Sequence, residues 1–393
     1  MSQRRVVITG ASAVACAGLG REAFFDGLLA AAPAERPRNV PEFDMSTYFD
    51  KKEMRRLDRH AHFALICAAE ALAEAGDLGY DPERIGTLIG TGVGGMRTFE
   101  EQVMVLQEKG ARRVSPFLIP MMMANASSAQ VSMKYGFEGP CETTVTACAA
   151  SNQSIGNAFN MIRWDRCDAM VSGGTESATT PTGMAGFQNM TALSSVGVSR
   201  PFDADRDGFI QAEGAGVLVL EELEAARARG ATILAEVLGY ATTADAHHIT
   251  APSPGGKGAI KCMTRAMNDA ELAAADVGYV NAHGTSTPLN DAAEAHACAE
   301  LFGTSNGPAV TSIKGVTGHS LGAAGALEAV SIVESMVRGV IPPTANTSAV
   351  DPELPQIDVV VGEGREWTPS PTLSNSFGFG GHNATLVFGP APR

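Results

Sequence analysis

The sequence lacks the usual features of membrane and secreted proteins. No apolar run approaches the ~20 residues that a helix needs to span a bilayer, and the N-terminus lacks the long apolar segment of a signal peptide. The seven cysteines form no CxxC pair, which argues against a disulfide framework and against a zinc site. We therefore expect a cytoplasmic protein with reduced thiols, no bound metal and no membrane association.

Positive charge is also scarce. The 393 residues include 29 Lys and Arg against 43 Asp and Glu, which gives a net charge of −14. Nucleic-acid-binding proteins normally carry the opposite sign, so no nucleic-acid partner is expected. Charged side chains make up 18% of the chain and hydrophobic ones 45%, a balance that suits one large or two closely fused globular units.

Short β-branched runs alternate with Ala-rich runs, which is typical of an α/β protein with buried sheets. A helix near Cys67 leads through an acidic turn to a glycine-containing strand, and the same order follows Cys262. This weak repeat fits either a duplication or a coincidence of common units. If it is a duplication, the halves are 1–240, with the reactive cysteine described next, and 241–393.

Cys148 lies in the segment TVTACAAS, between a predicted strand and a predicted helix whose apolar positions recur at i, i+3, i+4 and i+7. Free backbone N–H groups and the helix dipole at such a turn favour a thiolate, which a nucleophilic cysteine requires. The alternative is a small buried hydrophobic residue, the usual role of a free cysteine.

Three further segments combine polar side chains with glycine. A predicted strand delivers His283 into a Gly-Thr-Ser-Thr loop, which favours a functional histidine. Lys314 and His319 flank another glycine-containing loop, where they could hold an anion or serve as a solvated lysine and a capping histidine. The segment SNSFGFGGHN at 374–383 predicts either a mobile loop with an aromatic face or a tight turn between strands.

One pattern points to a different chemistry. Gly318–Gly322 fits the G-x-S-x-G motif of serine hydrolases, with Ser320 as the nucleophile. In that motif the serine follows its strand directly, whereas the predicted strand here ends near Ile313. A serine hydrolase is therefore the weaker alternative.

Taken together, TACAA at Cys148, NAHGTSTP at His283, the K-x4-H pair and SNSFGFGGHN stand in a recognisable order and spacing. The chain resembles the elongating (type II) β-ketoacyl-[acyl-carrier-protein] synthases, which are thiolase-fold condensing enzymes. The resemblance spans the whole chain and also includes SRPFDADRDGF and LGAAGALE. It implies a five-layered αβαβα fold with two duplicated halves and an acyltransferase that needs no cofactor.

The resemblance also implies roles for individual residues. Cys148 would accept the acyl chain from an acyl carrier protein, and His283 and His319 would serve decarboxylation of the malonyl unit. Lys314 would order the histidines, and the backbone N–H groups of Cys148 and Phe379 would form the oxyanion hole. The residues expected to contact the substrate are Thr285 and Thr287, which would hold the phosphopantetheine arm, and Phe377 and Phe99. In some members a monovalent cation is held at positions that correspond to Asn281, Glu328, Ser374 and Asn375.

Two basic spots match carrier-protein docking patches of the family, although a basic cluster is otherwise usually a solvated face. They consist of Lys52, Arg55 and Arg56, and of Arg112 and Arg113. The family also forms dimers, so we expect a homodimer or a heterodimer with a chain-length-factor subunit.

Departures from the family pattern leave two activities open. Ala150, Ser151 and Asn152 follow the nucleophile where the family usually has Ser-Gly or Thr-Ser-Gly, and Phe99 occupies a tunnel position that is often smaller. One interpretation is a fatty-acid elongation enzyme. The other is a specialised polyketide or polyene ketosynthase that works with a chain-length-factor partner.

Overall fold

The computed structural model describes residues 4–32 and 38–392. The strands in these residues are β1 (Val6–Ala15), β2 (Gly18–Leu19), β3 (Ile85–Gly90), β4 (Cys141–Glu142), β5 (Ala169–Glu176), β6 (Gly214–Glu222), β7 (Ala235–Ala244), β8 (Tyr279–Asn281), β9 (Ala309–Thr311), β10 (Val340–Ile341), β11 (Asp358–Val359), β12 (Arg365–Glu366), β13 (Thr372–Gly378) and β14 (His382–Pro390). The helices are α1 (Arg21–Ala30), α2 (Arg59–Ala75), α3 (Met96–Lys109), α4 (Leu118–Met122), α5 (Ala126–Tyr135), α6 (Ala150–Arg163), α7 (Pro181–Asn189), α8 (Leu223–Ala228), α9 (Lys257–Asp269), α10 (Pro288–Phe302), α11 (Lys314–Thr317) and α12 (Ala324–Arg338).

The strands repeat one pairing pattern in two halves. In the first half the order is β1-β6-β5-β3-β4, and in the second it is β7-β14-β13-β8-β9-β11. In both halves the first two pairings are antiparallel and the following ones are parallel. Three residue pairs between β1 and β7 join the two halves. The predicted α/β class and duplication are confirmed, and a boundary at residue 240, which lies inside β7, stays a prediction.

Three apolar cores separate the layers. Ile66 on α2 packs against the outer face of the first sheet, and Met263 on α9 packs against the outer face of the second. Between the sheets, α6 and α12 contribute Phe159 and Val330 to a core that also contains strand residues of both halves. The order is therefore helix, sheet, helix, sheet, helix, as the αβαβα prediction requires.

Small residues let the central helices approach the strands closely. A side chain at Gly216 of β6 would place its Cβ 2.7 Å from the backbone of Ala326, so α12 packs directly on the strand. This packing fixes the N-terminal ends of α6 and α12 near the same edge of the two sheets. In the described part of the chain, no helix is both long and apolar enough to span a membrane.

Candidate active site

Cys148 lies in a 3-10 turn, Ala147–Ala149, that leads directly into α6. The expected strand directly before it is wrong: β4 ends at Glu142, and residues 143–146 belong to no strand. Ala147 adopts a left-handed backbone with φ of 49°, a conformation that costs free energy in a residue with a side chain and is common at functional sites. The turn places the thiol, which is only 4% exposed, at the N-terminal end of the helix.

His319 faces the thiol directly. Its Nε2 atom lies 3.0 Å from the Sγ atom of Cys148. The backbone N–H of His319 donates to the Ile210 carbonyl at 2.8 Å, and the ring of Phe209 packs edge-on against the imidazole at a centroid distance of 5.0 Å. Sequence reasoning quoted Phe209 only as part of a family motif, because its contact with His319 spans more than a hundred residues.

His283 completes the group and, like His319, comes from the second half of the chain. Its ring centroid lies 5.4 Å from that of His319, with the two rings nearly perpendicular. The backbone N–H groups of His283 and Gly284 donate to the carboxylate of Glu294 at 2.9 and 2.8 Å. Sequence reasoning missed Glu294, although an acidic residue on the helix after the His283 loop was visible. The thiol and the two imidazoles therefore converge, with one ligating atom of each within 4.8 Å of the others.

Lys314 contacts both the backbone and the ring of His283. Its Nζ atom donates to the His283 carbonyl at 2.6 Å and lies 3.5 Å from the ring Nδ1 atom. The same ammonium group contacts the carboxylate of Glu328, and both side chains are buried. These contacts reach His283, and the expected role of Lys314 in ordering the two histidines stays a prediction.

Burial controls the protonation of the reactive groups. It raises the pKa of Cys148 to about 11, although the charge of Lys314 and the backbone N–H groups of Phe379 and Cys148 act in the opposite direction. It lowers the pKa of His283 and of His319 well below the usual value, and the charge of Lys314 adds to this effect. Burial thus favours a thiol beside a neutral imidazole, and it opposes the thiolate that the helix N-terminus favours.

The two backbone groups expected to form the oxyanion hole lie side by side. Gly378, at the end of β13, approaches so closely that a Cβ there would lie 3.1 Å from the Cys148 nitrogen. The next residue, Phe379, belongs to the tight turn between β13 and β14, which confirms the turn interpretation of the segment at 374–383. Hydrogen bonding by the backbone N–H groups of Phe379 and Cys148 lowers the pKa of the Cys148 thiol, and the role of these groups as an oxyanion hole stays a prediction.

A cavity of about 280 Å³ leads to these groups. Its lining contains all of the predicted residues with catalytic or substrate-binding roles except Lys314 and Phe99, namely Cys148, Thr285, Thr287, His283, His319, Phe377 and Phe379. The hydroxyl oxygens of Thr285 and Thr287 lie 2.8 Å apart. The remaining lining includes the apolar side chains of Phe187, Met190, Phe209, Leu289 and Leu321, which suits an apolar chain with one polar end.

Phe99 lies elsewhere. It is on α3, is 49% exposed and does not line the cavity in the described chain. Its predicted role in the acyl tunnel stays a prediction.

The two basic spots lie next to each other on the surface. Lys52, Arg55 and Arg56 are exposed in the segment before α2, and Arg112 and Arg113 are exposed in the 3-10 turn after α3. The guanidinium of Arg56 stacks on the ring of Phe117 at 4.5 Å, which connects the first spot to the segment that follows the second. The five cations thus belong to one region, and their docking role stays a prediction.

The four positions with a possible cation role are all buried. Asn281 Oδ1 and Glu328 Oε2 have no hydrogen-bond partner in the described residues, so their free oxygens fit a cation that prefers oxygen ligands. The carbonyl of Ser374 already accepts a hydrogen bond of 3.0 Å from Asn152 Nδ2. The cation stays a prediction.

Ser320 is not arranged as a hydrolase nucleophile. It is 1% exposed, and its hydroxyl has no hydrogen-bond partner among the described residues. A serine nucleophile needs a base within hydrogen-bond reach, so the geometry disfavours this alternative.

The chain matches the family described as "Beta-ketoacyl synthase, N-terminal domain" over residues 3–226 and "Beta-ketoacyl synthase, C-terminal domain" over residues 234–348. The chain belongs to the beta-ketoacyl synthase family. A relative from Synechocystis named "3-oxoacyl-[acyl-carrier-protein] synthase 2" is 43% identical over 412 residues, which cover 99% of this chain and 98% of the relative.

Two solved structures of ketosynthases are also similar. The first, "The ishigamide ketosynthase/chain length factor", has a TM-score of 0.92 and 32% identity, with 100% of both chains covered. The second is a type II polyketide ketosynthase complexed with its acyl carrier protein and bound to a hexaketide. It has a TM-score of 0.91 and 28% identity, and covers 99% of this chain and 100% of that chain. The predicted family and fold are thereby confirmed.

Proposed function

We propose that this enzyme is a 3-oxoacyl-[acyl-carrier-protein] synthase that joins an acyl thioester to malonyl-[acyl carrier protein] with loss of CO2. The observation that carries the proposal is the 3.0 Å contact between Cys148 Sγ and His319 Nε2, with His283 beside it in a single cavity. Membership in the family and the 43% identity to the Synechocystis synthase support the same reaction.

The first half-reaction transfers the acyl group to Cys148. His319 is neutral, so its Nε2 atom can take the thiol proton as sulfur attacks the thioester carbonyl. The N–H groups of Cys148 and Phe379 stabilise the oxyanion of the tetrahedral intermediate. The proton then goes to the departing thiol of the carrier protein, and the acyl group remains on the enzyme.

The second half-reaction forms the carbon–carbon bond. Loss of CO2 from the malonyl thioester leaves an enolate, whose oxygen needs hydrogen-bond donors. His283 and His319 are neutral and adjacent, so each can donate an N–H to this oxygen without charge. For His319 this step uses the tautomer with the hydrogen on Nε2, the opposite of the tautomer that accepts the thiol proton. The enolate carbon attacks the acyl carbonyl on Cys148, and the sulfur leaves as a thiolate. Decarboxylation of the malonyl carboxylate makes the overall condensation consume one proton, which solvent supplies to restore the thiol. The proposed cycle consumes no cofactor.

An acyl carrier protein is the proposed partner. Carrier proteins are acidic, and the exposed region of Lys52, Arg55, Arg56, Arg112 and Arg113 offers complementary charge. We expect Arg56→Glu to raise KM for the carrier protein about tenfold with little change in kcat, and the effect to shrink as salt is added. The matched control is Lys261→Glu, on the exposed face of α9. Equal KM values for the two variants would contradict docking at this region.

The enzyme is proposed to act as a dimer in the cytoplasm. Many exposed large apolar side chains fall between residues 93 and 145, namely Val93, Phe99, Met104, Leu106, Ile119, Met123, Met133 and Val145. Exposed apolar side chains of this number support the proposal that a partner subunit covers this part of the chain. The partner is a second copy of this chain or a chain-length-factor subunit, as in the ishigamide complex.

A second activity is supported by the solved structures. The ishigamide and hexaketide-bound ketosynthases cover essentially the whole chain with TM-scores above 0.9. A specialised ketosynthase of this kind would perform the same two half-reactions but would need its chain-length-factor partner to extend the substrate.

Intact mass spectrometry distinguishes these activities. The chain alone is mixed with acyl- and malonyl-loaded carrier protein, and the masses of both proteins are followed. An acyl mass on the enzyme together with a carrier product extended by two carbons supports the self-sufficient synthase. An acyl mass without extension supports the partner-dependent ketosynthase. Failure to load any acyl group would contradict both.

A further inference from the structure

Glu176 has a buried carboxylate near Cys148 and His319. The proposed chemistry does not use this carboxylate. Glu176 is the last residue of β5 and is fully buried. A buried carboxylate is costly unless several donors satisfy it, so its surroundings indicate why this position can hold one.

Its two oxygen atoms bind two separate segments of the chain. Oε2 accepts hydrogen bonds from the backbone N–H of Gly92 at 2.6 Å and from that of Gly322 at 3.1 Å. Oε1 accepts from the hydroxyl of Thr91 at 3.1 Å. One carboxylate thus joins the loop after β3 to the 3-10 turn that follows His319.

The turn that Glu176 holds is strained and closely packed. Leu321 has a left-handed backbone with φ of 46°, which the surrounding structure must maintain. A Cβ at Gly322 would lie 2.1 Å from the Gly92 nitrogen, so the two segments touch through their backbones. The hydroxyl of Ser151 donates to the Gly322 carbonyl, so both polar backbone groups of this glycine are held.

The hydrogen bonds from Thr91, Gly92 and Gly322 to Glu176 form a clamp. This clamp connects to the segments that carry Cys148 and His319. His319 and Leu321 belong to the clamped segment, and Leu321 packs in one small apolar cluster with Cys148. On the other side, Ser151 is in the first turn of α6, three residues after Cys148. Loss of the carboxylate would therefore free the segment that fixes His319 relative to the thiol.

We infer that Glu176 is a positioning residue, whose carboxylate holds the turn after His319 against the loop after β3 and so sets the 3.0 Å contact between Cys148 and His319. The inference rests on the proposed function for its effect on turnover. It does not depend on that function for its effect on the thiol itself.

The charge of Glu176 acts on the thiol as well. It opposes ionisation of Cys148, although burial is the larger cause of the raised thiol pKa. Burial raises the pKa of Glu176 itself to about 7, and the backbone hydrogen bonds and the nearby His60 act in the opposite direction. Charge and clamping can be separated, because glutamine keeps the hydrogen bonds. Its carbonyl can accept from both backbone N–H groups, and its NH2 group can donate to Thr91 Oγ1.

The test compares Glu176→Ala with Glu176→Gln. Two measurements are made on each variant: the pH dependence of Cys148 alkylation by iodoacetamide, and kcat and KM for acyl transfer. We expect Glu176→Ala to lower kcat roughly 100-fold with little change in KM, because a misplacement of about 1 Å costs that much, and to change the alkylation profile. Glu176→Gln should stay within about threefold of the wild-type kcat.

Several outcomes would overturn the inference. They are an alanine variant with wild-type kcat and alkylation, an alanine variant that loses only thermal stability, and a glutamine variant as impaired as alanine. If alanine prevents folding, Glu176→Asp replaces it, since the shorter side chain cannot reach both backbone N–H groups and should show the same direction of change. Absence of acyl transfer in the wild type would refute the proposed function, whereas the alkylation comparison would still decide the role of Glu176.

Discussion

Each of the two central helices begins in a 3-10 turn: Ala147–Ala149 precedes α6, and Leu321–Ala323 precedes α12. Both turns start with a residue in the left-handed region, with φ of 49° at Ala147 and 46° at Leu321. The middle residue differs, since it is Cys148 in the first turn and Gly322 in the second. The two halves thus contain the same backbone turn, and the turns differ in whether the middle residue has a side chain.

The difference shows how a repeat becomes an active site. In the first turn the thiol enters the cavity and meets His319 at 3.0 Å. In the second, the missing side chain leaves room for the backbone of Gly92. Under the proposed function, one turn provides the nucleophile and its counterpart provides close packing that supports it.

The largest expected effect comes from removal of the side chain in the first turn. Cys148→Ala should reduce condensation by more than about a thousandfold, because the acyl intermediate has no atom on which to form. Thermal unfolding should change little, since a small residue replaces a small one. The measurement is acyl loading by intact mass, with Cys262→Ala as the control for a buried thiol on α9, outside the cavity. Acyl loading of Cys148→Ala would refute the role of this residue.

The converse change adds a side chain to the second turn. Gly322→Ala should destabilise the protein by about 3 kcal/mol, because its Cβ would lie 2.1 Å from the Gly92 nitrogen and the backbones must separate. Urea unfolding measures the effect. Gly186→Ala on α7 is the matched control, since a Cβ there meets nothing within 4 Å. Equal stabilities of the two variants would show that the second turn tolerates a side chain and would end the comparison.

The two turns also illustrate what the sequence could predict. Cys148, His283, Lys314 and His319 were found because each lies in a short motif whose polar residues and glycines are adjacent in the chain. The αβαβα fold followed from the resemblance, and the helix–turn–strand repeat at Cys67 and Cys262 corresponds to α2 and α9, the outer helices of the two halves.

The errors and omissions have a common physical cause. The β-branched residues before Cys148 favoured a strand. The Thr144 carbonyl accepts a hydrogen bond from the Thr91 N–H, but no ladder forms here in the described residues. Strand formation depends on neighbouring strands more than on local preference. Phe209, Glu294 and Glu176 were likewise not assigned contacts in the site, because their contacts join segments that are distant in the sequence.

The first turn also differs in that its central residue, Cys148, ionises under the influence of a nearby charge, that of Lys314. The charge of Lys314 lowers the pKa of Cys148, so Lys314→Met should raise that pKa and move the alkylation profile to higher pH. The same charge lowers the pKa of both histidines, which should therefore rise in the variant. We expect kcat to fall at least tenfold, because His283 also loses the hydrogen bond to its carbonyl.

The measurement is the rate of iodoacetamide labelling from neutral to alkaline pH, with mass detection of Cys148. Lys261→Met is the control, since this exposed lysine lies on the outer helix α9. An alkylation profile that stays in place when Lys314 is removed would mean that the buried ammonium does not act on the thiol.

The smallest expected effect concerns Phe99 on α3, the helix that follows β3 in the same half of the chain as the first turn. Phe99→Ala should leave loading of Cys148 and thermal stability close to the wild type, because Phe99 is 49% exposed and lies outside the cavity of the single chain. If a partner subunit covers this face, as proposed, the side chain becomes part of the acyl tunnel, and its removal should lengthen the products. Mass analysis of the extended acyl chains measures this, and Met104→Ala on the same helix is the control for loss of an exposed apolar residue. An unchanged product distribution would show that α3 does not limit chain length, and the determinants of specificity would then lie within the cavity at Cys148.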